Sequence, residues 1–195
     1  MLGLGTYAFF WQHSDRAPVR TELPQMLRRM RELDAQVFQI CDYQPILGYT
    51  TDELRALRSL AEDLGVTLEL GTRGIATSHL TKYLGICLDP ANSVAALENP
   101  VDVIDRCATY VANMHVKDFA FTRRGGWVGF TLEGTQLETG LLECRHLICT
   151  VDPDARGINR IVEHWLTWRD TYEETCQVEN EWNVRNLHYM RNFAH

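Results

Sequence analysis

Side chains able to ligate cations or move protons recur in this sequence at the ends of apolar runs. Asp42 closes "VFQIC", Glu69 sits in "VTLELG", and Asp89 closes "LGICLD". His115, Lys117 and Asp118 fall in or just after "VANMHVKDF", and Glu163 with His164 interrupts "INRIVEHW". An Asp, a His and a Glu drawn from three successive runs offer oxygen and imidazole donors. That mixture suits a divalent cation such as Mn²⁺, Mg²⁺, Co²⁺ or Zn²⁺. Each residue also has a plainer reading. Asp89 precedes Pro90, where Asp commonly starts a turn. His115 could be a hydrogen-bonded core histidine, Lys117 and Asp118 a solvated pair, and Glu69 the partner of a cation across the fold. Glu163 is harder to explain structurally, because a Glu among Ile161, Val162 and Trp165 is rarely buried unless paired or metal-bound.

These residues need elements to hold them, and the chain alternates short apolar runs with helical periodicity. "LGLGTYAFFW" reads as a first strand. "TELPQMLRRMRELDA" follows as a helix, with Leu23, Met26, Leu27, Met30 and Leu33 at helical spacing and Thr21 able to cap it. "QVFQIC" is a second strand. A helix opens at Thr50, with Glu53 in the capping-box position, and stops at Gly65. "VTLELG", "YLGICLD", "VANMHVKDF" and "INRIVEHW" are the third to sixth strands. Asn99-Pro100 starts a helix running to about Tyr110. A last helix begins near Thr171, with Val178, Trp182, Arg185 and Tyr189 along one stripe. The longest irregular stretch, Ala120 to Gly140, reads as a lid or binding loop. Such alternation predicts a parallel sheet with helices outside it. In α/β folds of this kind ligands sit beyond the carboxyl ends of the strands, so Asp89, His115 and Glu163 would converge on one mouth.

Composition narrows the class. The 195 residues suit one domain, and a net charge of −7 with no Lys/Arg block argues against nucleic acid and against an anionic membrane surface. The six cysteines include no C-x-x-C pair, so neither a disulfide framework nor a structural zinc site is expected. "MLGLGTYAFFWQHSD" lacks the basic and apolar regions of a signal peptide. No apolar stretch approaches the ~20 residues needed to span a bilayer. The expectation is a reduced, cytoplasmic protein.

Longer stretches carry a resemblance. "GLGTYAFFW", "VFQICDY", "LELGTRGI", "LGICLDPANS", "HVKDF", "TLEGTQLETG" before "IVEHW", and the closing "VENEWNVRNLHYMR" resemble the sugar phosphate isomerase/epimerase family with the xylose isomerase-like TIM barrel. The likeness covers essentially the whole chain. It implies an α/β fold of the TIM (β/α)8 type, with Asp89, His115 and Glu163 as metal ligands. Glu163 would also transfer protons, and Lys117 would be catalytic, binding a carboxylate or phosphate. His115, Lys117, Glu69 and Asn92 would meet the substrate, a small-molecule sugar or sugar acid. The implied chemistry is isomerisation or epimerisation of a hydroxy-ketone through a metal-stabilised enolate. Relatives acting on oxidised or branched sugar acids include decarboxylases, which is the alternative.

Against that family the chain is short. A (β/α)8 barrel takes about 250 residues and eight strands, whereas this sequence shows six strands in 195 residues. Only "RGIATSHLTK" joins "TLELGT" to "YLGICLD", barely the dozen residues that a parallel crossover needs. By comparison with the family, the fourth and fifth strand–helix units are missing, an internal deletion near 73–83 within a single domain 1–195. The Glu on the fifth barrel strand, the family's fourth ligand, goes with them. Water, Glu69 or a group from a second subunit could replace it. Open sheet edges would invite a homo-oligomer. A truncated, inactive relative acting as a binding module is the remaining reading.

Overall fold

Residues 1–71, 85–126 and 128–193 are described by a computed structural model of the chain. It opens with β1 (Leu2–Gly5), a 3-10 turn and the short α1 (Phe10–His13), then α2 (Leu23–Glu32), β2 (Val37–Cys41), α3 (Thr51–Leu64) and β3 (Thr67–Gly71). Next come β4 (Ile86–Leu88), α4 (Pro90–Ala95), α5 (Pro100–Cys107) and β5 (Val111–Val116). The remainder is β6 (Asp118–Arg123), β7 (Phe130–Thr135), α6 (Cys144–Val151), α7 (Pro153–Arg156), β8 (Asn159–Val162) and α8 (Tyr172–Asn192). The expected deletion near 73–83 lies outside the described residues.

Six strands pair in the order β3-β2-β1-β8-β5-β4, all parallel. This is a TIM-type barrel truncated to about six strand–helix units. One face of the sheet is apolar: Leu4, Phe38, Met114 and Val162 are fully buried. Leu23, Met26, Leu27 and Met30 of α2 are fully buried too, at i, i+3, i+4 and i+7. Withdrawing each such side chain from water is worth roughly 1.5–3 kcal/mol. Because side chains alternate along a strand, the opposite face carries Gln39, Glu69, Asn113, His115 and Asn159 into the concave interior.

Local signals place several boundaries. Thr50 caps α3 by accepting from the Glu53 backbone N–H at 3.2 Å, and Glu53 Oε2 accepts from the Thr50 N–H at 2.7 Å. Gly65 ends that helix in the left-handed region, at φ 67°. Asn99 and Thr171 cap α5 and α8.

Other expectations are corrected. The first strand stops at Gly5, and Thr6 turns the chain into a 3-10 helix, where its hydroxyl bonds the Cys41 backbone. The cap of α2 is Glu22 rather than Thr21, its N–H donating to Gln25 Oε1 at 2.7 Å. The supposed loop at Ala120 to Gly140 is largely the antiparallel hairpin β6–β7, closed by the Phe121 and Phe130 rings, edge to face at 4.8 Å. The buried stripe of α8 is Thr175, Glu179, Asn183 and Asn186 with Leu187 and Met190, not Val178, Trp182, Arg185 and Tyr189. Polar residues face inward there because they satisfy irregular backbone: Asn183 donates to the Ala8 carbonyl at 2.8 Å, and Asn186 accepts from the Leu137 N–H at 3.0 Å. Among the described residues, no helix is long and apolar enough to cross a membrane.

Candidate active site

The carboxyl ends of the strands open on a cavity of about 490 Å³, within the usual range for small-molecule sites. A larger hollow of about 780 Å³ lies between α6 and α8 and holds none of the chemistry-bearing residues at the strand ends. Strand register brings the site together. His115 pairs with Ile161 across β5 and β8, which sets Lys117 beside Glu163 one alternation further on. Asp89 follows β4 as the N-cap of α4, its Oδ1 accepting from the Asn92 N–H at 3.2 Å. Asp89 is therefore both a turn residue and a carboxylate facing the cavity.

Lys117 Nζ lies 2.7 Å from Asp89 Oδ2 and 2.9 Å from Glu163 Oε2. His115 Nδ1 lies 3.5 Å and 3.4 Å from the same two oxygens. All four side chains are largely buried. Burial works against charge on Lys117, yet Glu163 and Asp89 hold its ammonium above the usual lysine range. Burial works against His115 too, but hydrogen bonds with Asp89 and Cys87 and the charge of Glu163 carry it up to about 10. Asp89 is held below the usual carboxylate range, since His115 and Lys117 outweigh its desolvation. The result is a compact cluster in which two cations balance two anions. Trp165 closes one side, its ring 4.8 Å from Lys117 Nζ.

Gln39, absent from the sequence-based candidates, orients the histidine. Its Nε2 donates to Glu69 Oε2 at 3.3 Å, which turns its Oε1 towards His115 Nε2 at 2.6 Å. An amide oxygen only accepts, so Nε2 carries a proton and Nδ1 points at the carboxylates. This is how a metal-binding imidazole is held by an outer partner. Glu163 adds a second sign. Its Oε1 is buried and has no hydrogen-bond partner among the described residues. Gly5 leaves that oxygen its place, for a Cβ there would stand 3.1 Å from it. An orphaned carboxylate oxygen beside an oriented imidazole fits a divalent cation. Cys41 also stands here: its Sγ, a His115 nitrogen and a Glu163 oxygen lie within 4.8 Å of one another. Burial, with Glu163 nearby, pushes the Cys41 thiol up to about 12.

The other candidates divide. Asn92 lines the cavity and donates to Asp89 Oδ2 at 2.7 Å. Glu69 lies deeper and meets amides rather than a cation: Oε2 accepts from Asn113 Nδ2 at 2.7 Å, and Oε1 from Asn159 Nδ2. Asp42 lines the cavity and accepts from the Tyr7 hydroxyl at 2.7 Å. Lys117 and Asp118 are not a solvated pair. Both are buried, and Asp118 pins the return of the hairpin by accepting from the N–H groups of Phe119, Gly140 and Leu142. His164 is a satisfied core histidine: Nε2 donates to Asn183 Oδ1 at 2.8 Å and Nδ1 accepts from Asn186 Nδ2 at 3.3 Å. The signal that exposes Glu163, a polar residue inside an apolar run, also exists for Gln39 in "VFQIC".

No protein-family model matches the chain. It is 40% identical over 259 residues, covering 97% of this chain and 94% of the other, to the 3-oxo-isoapionate decarboxylase of Pectobacterium atrosepticum. Among solved structures, D-psicose 3-epimerase from Clostridium cellulolyticum H10, determined with D-tagatose, superposes with a TM-score of 0.62 at 8% identity over 98% of each chain. At that identity the likeness is one of fold. A xylose isomerase domain protein from Planctomyces limnophilus is matched at 17% identity and a TM-score of 0.42, over 88% of this chain but only 64% of that protein.

Proposed function

Because this chain belongs to the sugar phosphate isomerase/epimerase family with the xylose isomerase-like TIM barrel, we propose that it is a divalent-cation-dependent decarboxylase of an oxo sugar acid. The observation that carries this reading is that Asp89 and Glu163 share one ammonium, Asp89 Oδ2 at 2.7 Å and Glu163 Oε2 at 2.9 Å from Lys117 Nζ. Epimerisation through an enolate needs one group to remove a proton and a second, placed apart from it, to return one. Decarboxylation needs only a sink for the electron pair of the breaking C–C bond and one proton donor. Acids gathered on a single cation supply the second set. The 40% identity to a decarboxylase supports the same choice. That alignment, 259 residues against a chain of 195, also supports an internal deletion relative to that protein.

Asp89, His115 and Glu163 would hold the cation, which when bound supplies Lewis-acid polarisation of the substrate's keto group. As the C–C bond to the carboxylate breaks, CO2 leaves and its electron pair passes into the enolate. Lys117 then returns one proton to carbon from Nζ and regains it from solvent. Glu163, hydrogen-bonded to Nζ through Oε2, aims that proton, and the Trp165 ring flanks Nζ on one side. Asn92 and His115 orient the substrate hydroxyls from the cavity wall.

The test is turnover of a 3-oxo sugar acid in deuterated water by the metal-loaded chain. We expect CO2 release with one solvent deuteron in the product, reduced roughly 10²–10⁴-fold in Lys117→Met and Glu163→Gln. Epimer or isomer formation without CO2 would return the reading to isomerase or epimerase, which shares the enolate. Neither reaction in folded, metal-loaded protein would leave a binding module.

A further inference from the structure

Glu163 Oε1 is unpartnered among the described residues although Glu163 is 2% exposed. A buried carboxylate oxygen in that state is costly unless something else meets it. Close to this carboxylate stands Cys41, the last residue of β2, whose Sγ lies with a His115 nitrogen and a Glu163 oxygen inside 4.8 Å. These three donors come from β2, β5 and the residue just after β8. We propose that Cys41 supplies a thiolate ligand to the cation, beside His115 and Glu163, and so makes the centre one for zinc or cobalt rather than magnesium. The inference rests on the cation-dependent reading above.

Two features give Cys41 this aim. Gly71, its neighbour on β3, has no side chain where a Cβ would collide with Cys41 Sγ, so the thiol has a berth on the cavity side. The single amide oxygen of Gln39 accepts from both donors, Cys41 Sγ at 2.9 Å and His115 Nε2 at 2.6 Å. One residue thus holds both side chains on the cavity side before a metal binds; coordination gives up the hydrogen bond from Cys41 and keeps the one from His115. Coordination exchanges the S–H bond for a bond to the metal, and the proton leaves to solvent. Thiolate, imidazole and carboxylate together favour the softer divalent ions, whereas magnesium asks for oxygen donors.

The experiment loads the full chain with Co²⁺ and records its near-ultraviolet and visible absorption, beside Cys41→Ser and the control Cys149→Ser, an exposed cysteine on α6 outside the cavity. We expect about one cobalt per chain and a thiolate-to-cobalt charge-transfer band in the parent and in Cys149→Ser. In Cys41→Ser the band should vanish and cobalt affinity fall roughly 10–100-fold, as for loss of other metal-site partners. A second measurement needs no variant: bound cobalt should slow alkylation of Cys41 in the parent, read by peptide mass. Cobalt bound without the band, or a band that survives Cys41→Ser, or unchanged Cys41 alkylation, would overturn the ligand assignment and leave the cation-dependent reading standing. Failure to bind cobalt at all would overturn both.

Discussion

Lys117 is an ammonium buried between two carboxylates, with the His115 ring against the same two oxygens. Removing the ammonium leaves Asp89 and Glu163 with His115 alone to offset them in a desolvated pocket. Breaking a buried ion pair from one side costs about 3–5 kcal/mol, so Lys117→Met should lose that much in urea denaturation at pH 7. A variant as stable as the parent at pH 7 would contradict the cluster. Gln39 makes the second case at this scale. Gln39→Leu removes the acceptor that fixes the His115 tautomer and should weaken zinc binding roughly 10–100-fold in a chelator competition. The two residues also differ in legibility. Charged side chains in apolar runs announce themselves, because their burial demands a partner, and Asp89, His115 and Glu163 do meet at one mouth. An amide in "VFQIC" makes a weaker demand. Its role emerges only when β3 and β5 bring Glu69 and His115 to its two ends. Glu69 shows the converse: its charge is visible, but the amides of Asn113 and Asn159 that receive it come from distant strands.

At the scale of elements, α8 is the helix whose inward face is polar. Glu179 accepts from the N–H groups of Trp11 and Gln12 and from Gln12 Nε2. Burial outweighs these donors and pushes its carboxyl up to about 7. A carboxyl raised in the folded state binds its proton more tightly there than in the unfolded chain. Its contribution is therefore full below pH 4.5 and is lost as pH rises towards 7, on the order of 3 kcal/mol across the window. His164, in the same seam, is held down to about 4 by burial, so its contribution runs the other way and is lost as pH falls from 6.5 to 4. The two slopes oppose each other in the parent. Glu179→Gln should remove one and expose the other, giving stability that falls steadily below pH 6.5 in thermal melts; an unchanged pH profile would refute the assignment. The phase of α8 escaped the sequence because inward Thr175, Glu179, Asn183 and Asn186 serve loop backbone rather than a core. Where local chemistry decides, as with Thr50 and Gly65 around α3, the element was legible to the residue. The β6–β7 hairpin was legible only in principle, since "DFAFTR" and "FTLEGT" alternate on either side of a glycine-bearing turn.

At the scale of the molecule, the six parallel strands follow from alternating apolar runs and helices, because each strand needs a helix outside it to cover its apolar face. Their spatial order does not follow from sequence periodicity. It is the pairing of β8 with both β1 and β5 that gathers Glu163, His115 and Lys117 onto one rim. Among the described residues, backbone hydrogen bonds join neighbouring strands of the sheet, and side chains such as Gln39 and His115 or Glu69 and Asn113 tie strands across its concave interior. A cation held by residues of β2, β5 and the end of β8 would add a cross-tie that the unfolded chain cannot make. By mass action, metal at a hundred times its dissociation constant should stabilise the fold by about 2.7 kcal/mol. For a chain of this size that corresponds to a rise in Tm of roughly 5–10 °C, reversed by a chelator. Zinc should produce the full shift in the parent and almost none in His115→Ala, whereas magnesium at the same concentration should do little. Equal shifts with zinc and magnesium would place the tie on oxygen ligands alone, and no shift with either would mean that the interior holds together by Lys117 and its carboxylates without a metal.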